Sequence, residues 1–177
     1  MAKKKARKKS PAKKKTNRKK AVAKRRKVSH VPKGYHSVTP YLIVRGANAA
    51  IDFYEKVFGA KKLMAFQDGD RIAHAELKLG DAHVMLADEN ADMGILAPAP
   101  GQFPGVSVML YLKDADAAVE RAVAAGSKVE RPVADQFYGD RLGVVVDPYG
   151  HRWFVATHIE EVSAAEMKRR MQAMGPA

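Results

Sequence analysis

Asp147, His151 and His158 fall within the twelve residues DPYGHRWFVATH. A carboxylate and two imidazoles are donors of the kind that hold zinc or iron, so spacing decides whether they can meet. His151 and His158 are seven positions apart, an odd number, and a strand turns alternate side chains to opposite faces. At ~3.3 Å per residue of extended chain they are separated by roughly 23 Å. Metal–nitrogen bonds are about 2 Å long, so the two cannot share an ion. Pro148 and Gly150 suit the second and fourth positions of a type I turn begun by Asp147. The stretch predicts a turn and a strand, with no metal site of its own.

A second group is better placed. His74 and Glu76, two residues apart in AHAELKLG, share a strand face, and His83 lies diagonally across a hairpin expected at Gly80 and Asp81. Diagonal neighbours of this kind are about 7 Å apart at the backbone. Such a group suits an acid/base pair, a displaced metal site, or a hydrogen-bonded cluster that holds the shape of a cleft. His74 and Glu76 are the candidate catalytic residues, and His83 is a candidate ligand contact.

The elements that position these residues follow from periodicity. VRGANAAIDFYEKVFGAKK from Val44 and LKDADAAVERAVAAGSK from Leu112 resemble each other, with ANAAI and ADAAV 68 residues apart. Each stretch begins where an apolar strand ends and runs as an amphipathic helix closed by Gly59 or Gly126. Strands precede both helices (SVTPYLIV, VSVMLYL), and three follow each: KKLMAFQ, RIAHAELKL and AHVMLAD, then KVERPV, RLGVVVD and HRWFVAT. The expected fold is α+β, two tandem βαβββ modules forming a curled mixed sheet around a cleft. Residues 37–162 make that domain, with modules at about 37–95 and 104–160. A closing helix occupies 163–177, where Ser163 and Glu166 form a capping box and Met167, Met171 and Met174 a packing stripe.

Alternation also assigns the faces. Ala75, Leu77, Leu79, Val84, Leu86, Trp153 and Val155 belong to a greasy face under the helices. Opposite them lie His74, Glu76, Lys78, His83, Met85, Ala87, Phe154, Ala156 and His158, a mixture suited to a ligand cleft. Tyr41, Met109, Tyr111, Tyr138 and Phe154 are the expected walls, or else inter-sheet packing. The polar loop DQFYGDR brings Gln136, Tyr138 and Arg141 to the mouth, where Arg141 either grips a carboxylate or phosphate or pairs with Asp140 or Asp88. Asp88 and Glu89 end a strand and are expected to face solvent.

Charge divides the chain. The net charge is +13, yet residues 1–33 hold 17 Lys or Arg and no acid, which leaves 15 basic and 19 acidic residues in the other 144. Residues 1–36 read as a disordered basic tail and linker, because so few large apolar side chains cannot offset the entropy of ordering. A row of cations binds polyphosphate by releasing counterions, so residues 3–27 are a candidate contact for nucleic acid or another polyanion. No aromatic precedes Tyr35, so the tail has nothing on which to stack bases. The absence of cysteine excludes disulfides, thiolate metal sites and cysteine nucleophiles. With neither a secretory signal nor a run of ~20 apolar residues, the expected location is cytoplasmic, with nucleoid association open to the tail and no membrane partner.

With AIDFYEKVFGA after its first strand and DPYGHRW before its last, the repeat resembles the vicinal oxygen chelate superfamily, the glyoxalase, bleomycin-resistance and extradiol-dioxygenase fold. VTPYLIV, HAELKLGD, VMLADE and DQFYGDRLG resemble its PhnB-like branch, and the likeness spans about residues 38–162. It implies a cleft and, in metal-using members, one metal ligand from each of four strands. Carried over by spacing, those positions fall on Thr39, Met85, Ser107 and Phe154, none of them a good ligand for a divalent metal. They are therefore expected to contact an organic ligand, with no metal or other cofactor. The expected function is small-molecule binding by a homodimer with a polyanion-binding tail. Two alternatives are a glyoxalase-like lyase, isomerase or resistance enzyme, using His74 and Glu76 or a relocated metal, and a nucleic-acid-associated ligand sensor.

Overall fold

The computed structural model describes residues 28–102 and 105–174. The chain divides between His30 and Val31, and every element belongs to the part that begins at Val31. The lysine-rich segment 1–27, read above as disordered and polyanion-binding, lies outside the described residues.

The βαβββ order occurs twice. The first module comprises β1 (Tyr41–Val44), α1 (Ala47–Phe58), β2 (Lys61–Asp68), β3 (Arg71–Leu79) and β4 (Ala82–Asp88). The second comprises β5 (Ser107–Tyr111), α2 (Ala115–Ala124), β6 (Lys128–Asp135), β7 (Asp140–Val146) and β8 (Arg152–His158), followed by α3 (Ala164–Ala173). The strands form two mixed sheets, ordered β1-β4-β3-β2 and β5-β8-β7-β6. Registers match between modules: Tyr41 pairs with Met85 and Met85 with Glu76, as Met109 pairs with Phe154 and Phe154 with Val144.

Alternation places the core where the sequence implies. Leu42, Val44, Ala75, Leu77, Leu79, Val84 and Leu86 are buried in one cluster with Ile51, Tyr54 and Val57 of α1, Ala118 and Ala122 of α2, and Trp153 and Val155 of β8. Fully burying a large aliphatic side chain stabilises by roughly 1.5–3 kcal/mol relative to leaving it in water, so this helix side carries most of the stability. The opposite, inward side keeps the remaining strand positions. The edge strands β2 and β6 are exposed along most of their length, and β6 carries Pro132 within a stretch of shifted register. Proline at an edge costs no ladder bond and discourages pairing with another chain.

Asp147 begins its turn as expected and does more. Its Oδ1 accepts the amide N–H groups of Tyr149 and His151 at 2.9 Å. Its Oδ2 accepts the Tyr54 hydroxyl at 2.7 Å and the Trp153 indole N–H at 2.8 Å. One buried carboxylate thus joins α1 of the first module to β8 of the second. Burial, reinforced by this carboxylate, pushes the Tyr54 phenol well above its ordinary range.

Asp88 and Glu89 depart from the solvent-facing role expected of them. Gly46 precedes α1 and has no side chain to cap it, so Asp88 reaches back from the end of β4. Its Oδ1 accepts the N–H groups of Gly46 and Ala47 at 2.8 Å, and its Oδ2 accepts that of Ile72 at 2.8 Å. Glu89 accepts from Arg45 Nε at 2.8 Å and from the Ala97 N–H at 3.2 Å. In the second module, Asp114 caps α2 itself by accepting from Ala117 N–H at 2.9 Å, and Thr157 accepts from Ala115 N–H at 2.9 Å.

Ser163 caps α3 through the Glu166 N–H, but of the methionine stripe only Met167 is half-buried. Met171 and Met174 are 53% and 70% exposed, and α3 buries no residue. Ion pairs hold the helix instead: Arg170 bridges Glu160 at 2.7 Å and Glu166 at 2.8 Å.

Candidate functional site

Two polar arrangements and one cavity occupy the inward side. The cavity, about 1020 Å³, opens between β1, β5 and the chain at residues 96–102. Tyr41, Ser107 and Met109 line it, with Pro40, Val108 and His151 among the other walls. Arg45 fixes the connecting chain against it by donating to the Pro98 carbonyl at 2.8 Å and the Ala97 carbonyl at 3.3 Å. His151 is buried, and its Nε2 meets the Ile43 carbonyl at 3.1 Å. That imidazole therefore ties the second module to β1. His151 and Arg45 were missed as cavity residues because each follows a turn or strand end, where alternation gives no face.

From the cavity wall a chain of hydrogen bonds runs across the first module. The Tyr41 hydroxyl and His74 Nδ1 are 3.1 Å apart, and His74 Nε2 lies 3.3 Å from Glu76 Oε1. The other Glu76 oxygen accepts the Tyr35 hydroxyl. Tyr35 also stacks on His83, with ring centroids 4.0 Å apart and planes within 14°. Glu76 and His83 are only 8% and 9% exposed, and His83 Nδ1 has no hydrogen-bond partner among the described residues. The Tyr35 bond, aided by His74, holds the Glu76 carboxyl below the ordinary carboxylate range. The same bond raises the Tyr35 phenol. At neutral pH Glu76 is an ionised acceptor rather than a proton donor.

Tyr35 belongs to VPKGYH, read from sequence as a linker. Its N–H donates to the Pro32 carbonyl at 3.1 Å, and Gly34 between them has φ +90°. That is the pattern of a type II turn, whose third residue needs the left-handed backbone that glycine supplies. A Cβ on Gly34 would also lie 3.4 Å from His83 Cε1. The Pro-Lys-Gly-Tyr order was the available signal.

The second module carries a different polar group. Asp140, 4% exposed, accepts the Tyr111 hydroxyl at 2.9 Å and lies 2.7 Å from His158 Nδ1. His158 Nε2 reaches Glu161 at 3.4 Å, and Asp140 first, then Glu161, raises the His158 pKa. Tyr138 packs edge-on against Phe137 at the tip of the loop, and burial, then Asp140, raises its phenol. Phe154 packs with Leu142, Val144 and Ala156 in a small apolar cluster. Gln136 folds back onto its own strand, donating to the Ala134 carbonyl at 3.0 Å.

Arg141 sits apart from all of these. It bridges Asp116 of α2 at 2.5 Å and Asp135 at 2.8 Å, so its side chain lies on the helix side of β7 and its donors are engaged there. Neither Asp140 nor Asp88 is its partner, and it does not reach a cleft mouth. The structure therefore gathers Tyr41, Ser107 and Met109 at the cavity, and His74, Glu76 and His83 beside it. Tyr111 stands with Asp140. Thr39, half-buried just before β1, and Met85, which pairs with Tyr41, complete the inward side of the first module.

The model of the glyoxalase/bleomycin resistance protein/dioxygenase superfamily matches residues 34–155. The chain belongs to that superfamily. An uncharacterized protein of Mycobacterium bovis is 37% identical over 143 residues, covering 78% of this chain and 94% of its own length. The solved structure of an Arabidopsis thaliana gene product is 28% identical with a TM-score of 0.57, covering 69% of this chain and 98% of that one. A PhnB protein from Bacillus cereus shares the fold at 17% identity and a TM-score of 0.55, covering 69% of this chain and 99% of its own.

The metal used by some members of this superfamily finds no fitting donors at the expected places. Those positions hold Thr39, Met85, Ser107 and Phe154, and no group of three or more His, Asp or Glu converges among the described residues. No helix among them is long and apolar enough to cross a membrane.

Proposed function

We infer that this chain binds a small, largely apolar molecule in the cavity between β1 and β5, without a metal ion. One observation carries the reading. A cavity of about 1020 Å³, at the upper end of small-molecule sites, is lined mainly by apolar side chains and flanked by a tyrosine hydroxyl hydrogen-bonded to His74. In this reading Tyr41, Ser107 and Met109 touch the ligand, and His74 and Glu76 fix the Tyr41 hydroxyl. Thermal-shift screening followed by titration tests it. Compounds that raise Tm should lose at least about tenfold in affinity, or ~1.4 kcal/mol, in Met109→Trp, which fills the cavity edge. Hits that bind that variant unchanged would overturn the assignment. Metal analysis of protein purified without chelator or affinity metal tests the other half, and stoichiometric zinc, manganese or iron would sink it.

The Tyr41–His74–Glu76 chain favours one further reading, acid/base catalysis with Tyr41 as the group that meets the substrate. Turnover that survives metal removal and is lost in Tyr41→Phe and His74→Ala, with binding retained, would establish it. Retained turnover in both would end it.

Two wider assignments belong to the same proposal. Tyr41, Met64, Phe66, Met109 and Tyr111 are each 41–59% exposed, and that much apolar surface on one side supports a homodimer. A monomer by sedimentation at micromolar concentration would refute it. The charge of residues 3–27 supports contact with nucleic acid or another polyanion. If about 8 cations engage DNA, log K should fall with log salt at a slope near −7, and deletion of residues 1–33 should abolish association. A flat salt dependence would refute the assignment.

A further inference from the structure

We propose that the inward face of β3 and β4 is a binding subsite for a planar aromatic molecule bearing a hydroxyl, and that Tyr35 occupies it as a built-in stand-in. Tyr35 lies outside both sheets, in a turn six residues before β1, and pairs with no strand. It nevertheless makes the contacts expected of a ligand. Its ring lies flat on His83, and its hydroxyl donates to Glu76, a carboxylate sunk in the face. His83 Nδ1, more than nine-tenths buried, remains unpartnered among the described residues beneath it. An unsatisfied buried nitrogen costs free energy, and a ligand whose polar substituent reaches past the imidazole edge into the ring plane can relieve that cost where Tyr35 does not.

The attachment is suited to exchange. The docked ring hangs on a Pro32–Tyr35 turn whose Gly34 is packed against His83, so lifting the turn exposes the imidazole without breaking any strand ladder. The subsite is separate from the cavity, since neither Glu76 nor His83 lines it, but the two communicate through Tyr41 and His74. A molecule that displaces Tyr35 alters the hydrogen bond at the far oxygen of the carboxylate that orients His74.

The test uses the full chain and p-cresol, the chemistry of the tyrosine side chain itself. Tyr35→Ala empties the subsite, and circular dichroism verifies that the variant is folded. Titration is followed by NMR at His83 Hε1. If Tyr35 is docked about 90% of the time, Tyr35→Ala should bind p-cresol about tenfold more tightly than the native chain. Toluene, which lacks the hydroxyl, should bind the variant more weakly than p-cresol, and adding Glu76→Leu, which removes the acceptor, should abolish that preference. Tyr35→Phe keeps the stack and loses the donor, so its p-cresol affinity should fall between the two. It carries the comparison alone if Tyr35→Ala does not fold. Equal p-cresol affinity in native and variant chains, or equal binding of toluene and p-cresol, would overturn the proposal. Cavity binding is scored by its dependence on Met109 and this titration by its dependence on Tyr35, so failure here is distinct from failure of the cavity assignment.

Discussion

The two modules share a backbone and differ in what they hold inward. Where the first carries His74, Glu76 and Met85, the matching registers of the second carry Leu142, Val144 and Phe154. At those registers the first holds a hydrogen-bonded polar chain covered by Tyr35, and the second a small apolar cluster. The second module's own polar group, Asp140 with Tyr111 and His158, is displaced to the start of β7. A buried polar chain contributes little net stability once its members are desolvated, whereas the apolar cluster contributes directly. At the matched registers the duplication thus keeps apolar packing in one copy and polar side chains in the other. On the helix side the asymmetry disappears, because both modules close over one core and share Asp147.

That shared carboxylate gives the largest effect. Asp147→Ala leaves the Tyr54 hydroxyl and Trp153 indole N–H buried without an acceptor, at about 1–3 kcal/mol each. Urea unfolding should show a loss of about 3 kcal/mol or more, and a loss below 1 kcal/mol would mean the modules are not joined there. Next comes the inward division itself. Leu142→Ala should cost about 2–4 kcal/mol by opening a cavity, while leaving ligand binding intact. Glu76→Gln should cost less, about 1 kcal/mol, yet weaken whatever docks on the first module. Equal stability losses, or a binding defect in Leu142→Ala alone, would erase the distinction between scaffold and site.

The smallest effect concerns pH. Asp140 and Glu161 favour protonated His158, so the stability it contributes is present below its ordinary pKa of about 6.5 and is lost as pH rises through its raised folded value. Tm should therefore decline slightly as pH rises above about 6.5 and through the raised folded value, and more shallowly in His158→Gln. Identical profiles would show the pairing to be inert. Glu76 behaves oppositely: its lowered pKa gives stability present at neutral pH and lost only as pH falls through the folded value.

Alternation made the inward and outward faces of β3, β4 and β8 legible, because each alternates small or apolar residues with larger or polar ones. It failed for Arg141, which begins RLGVVV, a run apolar on both faces that hides which side its first residue takes. Tyr35 escaped for a different reason. Outside a strand or helix there is no period to assign a face, and only the turn chemistry of Pro32 and Gly34 hinted that the segment was built. The long-range caps were equally hidden, since nothing near Gly46 in sequence announces that Asp88 will supply its acceptor.

That last arrangement bears on the order in which the chain folds. α2 has one acceptor immediately ahead of it in Asp114, so part of its first turn is capped from local sequence, with Thr157 supplying a second acceptor from 42 residues away. α1 has no local side-chain cap and borrows its acceptor from a residue 42 positions away, so it gains that cap only once β4 is in place. A local acceptor for α2 and none for α1 predicts that the second helix forms earlier than the first. Folding kinetics should show Asp114→Ala slowing folding and Asp88→Ala chiefly hastening unfolding, and the reverse assignment would disprove this order.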